Sequence, residues 1–86
     1  DSKLLQWTDS KVALVEFIYA IYAGKCFNNG NTSLKDIAFC CEVLFNIEIG
    51  DFYRIFLEIR NRKKNRTQFL DKLKDKIQKM MDELDR

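Results

Sequence analysis

Apolar residues dominate residues 12–23, and they would cover most sides of a helix formed there. The sequence predicts a first helix that begins near Thr8 or Asp9 and ends at about Ala23. Either Thr8 or Asp9 can cap it, because both side chains can accept a hydrogen bond from a first-turn amide. Gly24 is expected to stop it in a left-handed conformation. A helix that is apolar on most sides normally lies at the centre of its fold. The apolar residues are Val12, Leu14, Val15, Phe17, Ile18, Tyr19, Ile21 and Tyr22.

A second helix is predicted after a turn at residues 26–31, where Asn29 and Gly30 tolerate positive φ. Thr32 and Ser33 precede this helix, and Ser33 is suited to cap it because a serine hydroxyl accepts a bond from a first-turn amide. Its apolar residues recur at helical spacing, which predicts one buried stripe. The residues of this stripe are Leu34, Ile37, Ala38, Cys41, Leu44 and Phe45.

The third helix is predicted to begin at Asp51, after a short link at residues 46–50, because a carboxylate suits a helix N-terminus. Helical spacing then separates an apolar inward face from a polar outward face. The inward residues are Phe52, Ile55, Phe56 and Ile59. The outward residues are Arg54, Glu58 and Asn61.

The fourth helix is predicted to follow Thr67 as N-cap and to end at about Leu84. It carries an apolar seam that advances by alternating steps of three and four residues. The seam lasts only two heptads, and a coiled coil normally needs three or four, so we expect it to pack on the first helix. Its residues are Leu70, Leu73, Ile77, Met80 and Leu84.

These four elements predict an all-α fold, a four-helix orthogonal bundle in which helices two and three form a helix-turn-helix-like pair. Hydrophobic residues make up 47% of the 86 residues and there is no proline, which suits a packed core of helices. Residues 1–86 are expected to form a single helical domain. Because the chain begins at Asp1 rather than Met, we expect it to be a fragment that lacks an upstream domain.

The composition argues against several classes of function. The chain has no histidine to act as a general base, no glycine-rich loop for phosphate and no cysteine pair at zinc spacing, so we expect no enzyme activity, metal, cofactor or small-molecule substrate. No apolar run approaches the roughly 20 residues of a membrane span. Three cysteines, two of them adjacent, fit a reducing cytosol, and a cytoplasmic location is expected.

Positive charge is concentrated at the predicted end of the third helix. The whole chain has a formal charge of only +2, but residues 54–66 contain six basic residues and one acid, Glu58. Such a cluster repels itself unless it meets an anion or is screened by water. Phosphate groups are one such partner, and a solvated helix end is the alternative. The candidate phosphate contacts are Arg60, Arg62, Lys63, Lys64 and Arg66.

The outward face of the third helix is the candidate for reading bases in double-stranded DNA. Arginine and asparagine make paired hydrogen bonds with guanine and adenine, so Arg54 and Asn61, with Glu58, are candidate base-edge contacts. Alternatively, Arg54 and Glu58 are a surface pair one helical turn apart. The competing function is a protein-interaction or dimerisation domain without intrinsic DNA binding, which would use the first helix or the seam of the fourth.

Several segments resemble the C-terminal region of the RteC family. They are residues 6–16 (QWTDSKVALVE), 27–30 (FNNG), 45–54 (FNIEIGDFYR) and 57–63 (LEIRNRK), with further matches at residues 66–67, 69–71 and 81–83. The resemblance implies a regulator that binds DNA and controls excision genes of tetracycline-inducible conjugative transposons. It also implies a helix-turn-helix or winged-helix motif in this region and a helical N-terminal domain before it. This chain is then expected to be the C-terminal domain of a longer regulator, with duplex DNA and that upstream domain as partners. A second copy of the chain is a further expected partner, through the seam of the fourth helix.

Overall fold

The computed structural model describes residues 4–86 and contains four α-helices and one short 3-10 turn. The helices are α1 (Lys11–Ala23), α2 (Leu34–Phe45), α3 (Phe52–Arg60) and α4 (Gln68–Leu84), and the turn spans Asn28–Gly30. No strand occurs within residues 4–86. The predicted all-α class is therefore confirmed. The predicted starts of α2 and α4 match the observed ones, and α3 begins one residue later than predicted, with Asp51 as its N-cap.

Helix α1 ends at Ala23, as predicted, but its N-cap and the conformation of Gly24 differ from the prediction. Its N-cap is Ser10, whose hydroxyl accepts a hydrogen bond from the Ala13 amide at 3.0 Å, whereas Asp9 accepts one from the Ser10 amide at 2.7 Å. At the other end Gly24 keeps a right-handed conformation with φ of −77°, and the left-handed residue is Lys25, with φ of 55°. The left-handed residue that follows the helix is therefore one position later than the predicted Gly24.

Helix α1 is the element that the other three helices pack against. Leu14, Val15 and Ile18 are fully buried at its centre. Tyr19 stacks on Phe56 of α3 with 3.6 Å between the ring centroids and an angle of 6° between the planes. The central position predicted from its apolar circumference is confirmed, because three neighbours are needed to cover that many apolar side chains.

Helices α2 and α3 each place one stripe against this core. Ile37, Ala38 and Cys41 of α2 are buried, as is Ile59 of α3. The predicted stripe of α2 was too wide, because Leu44 leaves 64% of its surface exposed. Ile49 is buried in the link between the two helices, and its amide donates a hydrogen bond to the carboxylate of Glu42 on α2 at 2.8 Å.

The prediction that the seam of α4 packs on α1 was wrong. Phe69 is buried and Leu70 is half-buried, so the apolar contact with the body is confined to the first turn of α4. Beyond that turn the helix continues for more than a dozen residues with its apolar side chains in the open. The exposed apolar residues are Leu73, Ile77, Met80, Met81 and Leu84.

Trp7 joins the segment before α1 to two other helices. Its indole lies 5.8 Å from the Phe45 ring of α2 and 5.8 Å from the Phe69 ring of α4, measured between centroids. The indole N–H donates to the Ser10 carbonyl at 2.8 Å, and the Trp7 amide donates to the Phe45 carbonyl at 2.9 Å. Because Trp7 is the single tryptophan, its fluorescence reports on this junction.

The three cysteines should differ in reactivity toward a thiol reagent. Cys26 and Cys40 are exposed, whereas Cys41 is buried, and burial raises the pKa of the Cys41 thiol. Since the thiolate is the reactive form, we expect iodoacetamide to modify Cys26 and Cys40 at least about tenfold faster than Cys41 in the folded chain. Mass spectrometry of timed digests measures this. Equal rates in the native state would contradict the burial, and equal rates in denaturant are the control.

Candidate nucleic-acid interface

The cations predicted to contact phosphate lie at the end of α3 and in the connection to α4, a segment named here the basic turn (residues 60–66). Helix α3 ends at Arg60, Asn61 forms its C-cap, and α4 begins at Gln68. Asn65 has φ of 59°, a left-handed conformation that asparagine tolerates better than most residues, and it redirects the chain into α4. Four of the five cations are thereby held on a short connection between two helices, and the fifth, Arg60, is the last residue of α3.

Four of these cations are free to meet an anion. The side chains of Arg60, Lys63, Lys64 and Arg66 are exposed, and none forms an ion pair with a carboxylate in residues 4–86. Arg66 makes a single long contact, donating to the Arg60 carbonyl at 3.5 Å. The local excess of positive charge therefore reaches solvent without internal compensation.

Arg62 is arranged differently from its neighbours. Its side chain is only 23% exposed, and its Nη1 lies 3.7 Å from Oε1 of Glu16 on α1. The same nitrogen donates to the Asn65 carbonyl at 3.4 Å. The structure thus pairs Arg62 with the protein's own carboxylate, and it separates this residue from the other four candidate phosphate contacts.

Glu16 is the buried partner that anchors the basic turn. It is only 5% exposed, and its Oε2 accepts a hydrogen bond from the Leu70 amide at 2.9 Å, in the first turn of α4. Thr67 holds the predicted N-cap position, but its side chain makes no capping bond and instead contacts the Asp71 carboxylate at 3.3 Å. Glu16 therefore caps α4 from another helix, a role favoured by the positive N-terminal end of the helix dipole.

The candidate base-reading residues lie on the exposed side of α3. Arg54, Glu58 and Asn61 are all exposed, and no ion pair joins Arg54 to Glu58. Tyr53 and Leu57 are also exposed on this helix, one turn apart. Sequence reasoning missed these two residues, although their spacing relative to the inward-facing Phe52 and Phe56 could have identified them. The outer face of α3 is therefore mixed polar and apolar.

Arg62 also lines a cleft of about 430 Å³. The charged side chains of this cleft balance, because Arg62 and Lys72 are opposed by Asp9 and Glu16. Lys72 contacts the Asp9 carboxylate at 3.2 Å. The pKa of Asp9 is lowered chiefly by the hydrogen bond from the Ser10 amide and secondly by the contact with Lys72. Within residues 4–86, no three metal-ligating side chains come together. This cleft therefore lacks the uncompensated positive charge of the basic turn.

Comparison with known proteins places the chain in a family. The family model described as RteC protein matches residues 1–85. The chain belongs to the RteC family. All four helices and the basic turn of this RteC chain lie within the matched region. No curated protein and no solved structure matches it.

One further property of the RteC chain concerns membranes. In the part of the chain that the structure describes, no helix is both long enough and apolar enough to cross a bilayer. The longest helix, α4, has 17 residues and carries charged side chains along its length.

Proposed function

We propose that this chain is the DNA-binding part of a transcription regulator acting on excision genes of a conjugative transposon. The observation that supports the proposal is the exposed, uncompensated set of four cations on the basic turn, combined with membership of the RteC family. Under this proposal the chain works in the cytoplasm, downstream of a helical N-terminal domain of the same protein.

The basic turn would bind the phosphate backbone. Arg60, Lys63, Lys64 and Arg66 lie within seven residues, so they can reach neighbouring phosphates of one groove edge. Each phosphate that a cation neutralises releases condensed counterions, which favours binding at low salt. Such contacts fix the position of a protein on the duplex but carry no sequence information. Arg62 would hold the turn in place through Glu16 rather than contact DNA.

Helix α3 would supply sequence recognition. Its nine residues span roughly 13 Å, close to the roughly 12 Å width of the major groove. Arg54, Glu58 and Asn61 would face base edges, and α2 with α3 would act as the helix-turn-helix-like pair. Exposed Tyr53 and Leu57 would lie against sugars or thymine methyl groups, which accept apolar contacts.

The test is the salt dependence of duplex binding. We expect the 86-residue chain to bind a fluorescent duplex with an affinity whose logarithm falls linearly with the logarithm of salt concentration. The double variant Lys63→Ala/Lys64→Ala should flatten that slope by about 0.9 for each phosphate that is no longer neutralised, or roughly 1.8 for both. Fluorescence anisotropy at four salt concentrations measures the slope.

The matched control removes the same charge elsewhere. Lys35 on α2 and Lys79 on α4 are exposed and form no ion pair within the described residues. Lys35→Ala/Lys79→Ala should leave the slope unchanged, because neither side chain lies on the basic turn. If the two double variants have equal slopes, the basic turn is not the phosphate contact. Absence of duplex binding by the wild-type chain at about 50 mM salt would overturn the proposal itself.

A protein-interaction domain without DNA binding is the second candidate. The outer side of α2 favours it, because Phe39, Val43 and Leu44 are all more than 60% exposed there. Clustered exposed apolar residues commonly mark interaction surfaces. The same anisotropy experiment separates the two candidates, since this one predicts no salt-dependent duplex binding in any variant.

A further inference from the structure

We propose that α4 pairs with α4 of a second copy of this chain in an antiparallel arrangement. The inference concerns the exposed apolar residues Leu73, Ile77, Met80 and Leu84, named here the α4 stripe. It does not depend on the proposed DNA binding.

The α4 stripe has the geometry of a helix-pairing surface. Its residues are spaced by four, three and four positions, so they lie along one side of a helix about 25 Å long. Ile77 is 53% exposed and Leu84 is 75% exposed, although both are large apolar side chains. A shallow groove of about 700 Å³ runs beside Leu70, Leu73, Ile77 and Met80. Water is left against this surface unless another helix covers it.

The charges along α4 indicate what covers the stripe. Residues 71–79 contain four lysines against two aspartates, a net charge of +2. Residues 80–86 contain Asp82, Glu83 and Asp85 against Arg86, a net side-chain charge of −2. A second copy of the same helix in the opposite direction places each positive half beside a negative half. The helix therefore complements itself when it is reversed.

The register of this pairing follows from the spacing. A heptad has two apolar positions, and in an antiparallel pair each of them faces the other one on the partner helix. Ile77 therefore faces the partner's Met80, and Leu73 faces the partner's Leu84. The two-fold axis then passes between positions 78 and 79. In this register Lys76, on the flank, lies beside the partner's Glu83, and symmetry forms that ion pair twice.

A parallel pairing lacks this complementarity. It would place the lysine-rich halves side by side and the acidic halves side by side, and like charges at close range are unfavourable. Lys76 would then lie beside the partner's Met81 and gain no ion pair. The antiparallel arrangement is the one in which both the apolar and the charged positions are matched. Since two heptads form a small interface, we expect a reversible dimer whose fraction rises with concentration.

Sedimentation velocity over a concentration series tests the pairing, without nucleic acid present. We expect the wild-type chain to shift from monomer to dimer, and Ile77→Glu to weaken dimerisation at least about tenfold, because it places a charge at the centre of the interface. The control is Val43→Glu on α2, an exposed β-branched apolar residue outside the α4 stripe, which should leave dimerisation unchanged. Far-UV circular dichroism confirms that both variants fold, as expected for exposed positions. A wild-type chain that stays monomeric at every concentration overturns the proposal.

Charge reversal tests the direction of pairing. Lys76→Glu and Glu83→Lys should each weaken dimerisation, because each creates two like-charge contacts across the interface. The double variant Lys76→Glu/Glu83→Lys should restore it, since the two ion pairs re-form with exchanged signs. Restoration supports the antiparallel register. Single variants that dimerise as well as the wild type overturn it, as does a double variant weaker than both singles.

Discussion

Leu14→Ala should lower the free energy of unfolding by about 4 kcal/mol. Leu14 is fully buried in α1, where three other helices pack, so the surroundings have little freedom to fill the cavity. A loss of this size is a large fraction of the total stability of a small domain, typically about 5–15 kcal/mol. Urea unfolding followed by Trp7 fluorescence measures it.

The matched control is Leu44→Ala. The apolar spacing of α2 assigns Leu44 to the core, but the structure leaves it mostly exposed. The same chemical change should therefore cost no more than about 0.5 kcal/mol. A loss near that of Leu14→Ala would contradict the position of α2 and support the wider stripe that the sequence pattern predicts.

Glu16→Ala should lower the free energy of unfolding by about 3 kcal/mol, although it removes a charged residue from an apolar helix. The substitution leaves the Leu70 amide without its acceptor and leaves Arg62 without its carboxylate. It also opens space between α1 and the start of α4. Urea denaturation again provides the measurement, and a weakened Trp7–Phe69 contact should change the native fluorescence as well.

Two further substitutions separate the roles within this cluster. Glu16→Gln keeps an acceptor for the Leu70 amide and loses only the charge, so its effect should be clearly smaller than that of Glu16→Ala. Arg62→Ala should reduce stability because the buried carboxylate loses its partner, yet leave the salt slope of duplex binding unchanged. A stabilised Glu16→Ala chain would mean that desolvation of the carboxylate outweighs its contacts. A flattened slope in Arg62→Ala would return Arg62 to the phosphate contacts.

Local features were predictable from the sequence because local interactions determine them. Ser33 and Asp51 accept hydrogen bonds from the amides of Asp36 and Arg54, three residues ahead, so the starts of α2 and α3 are set within one turn. The central place of α1 followed from its apolar circumference. The basic turn was visible as five cations in seven residues.

The remaining features depend on contacts between distant parts of the chain. Leu44 and Ile77 fit an apolar period, but a period does not tell how much neighbouring surface is available to cover a helix. Three neighbouring residues are suitable caps for α1: Thr8, Asp9 and Ser10. The structure uses Ser10, whose carbonyl accepts a hydrogen bond from the Trp7 indole. Glu16 interrupts an apolar run in the sequence, and that was the signal of its role, but its partners lie on other elements.

The separation of Glu16 from its partners also bears on how the chain folds during synthesis. Its hydrogen-bond donor, the Leu70 amide, is 54 residues further along the chain. At roughly 5–20 residues per second, that donor leaves the ribosome several seconds after α1 does. Until then the first helix carries a carboxylate that favours water over burial. We therefore expect the nascent chain to bury Glu16 only after the start of α4 has been translated.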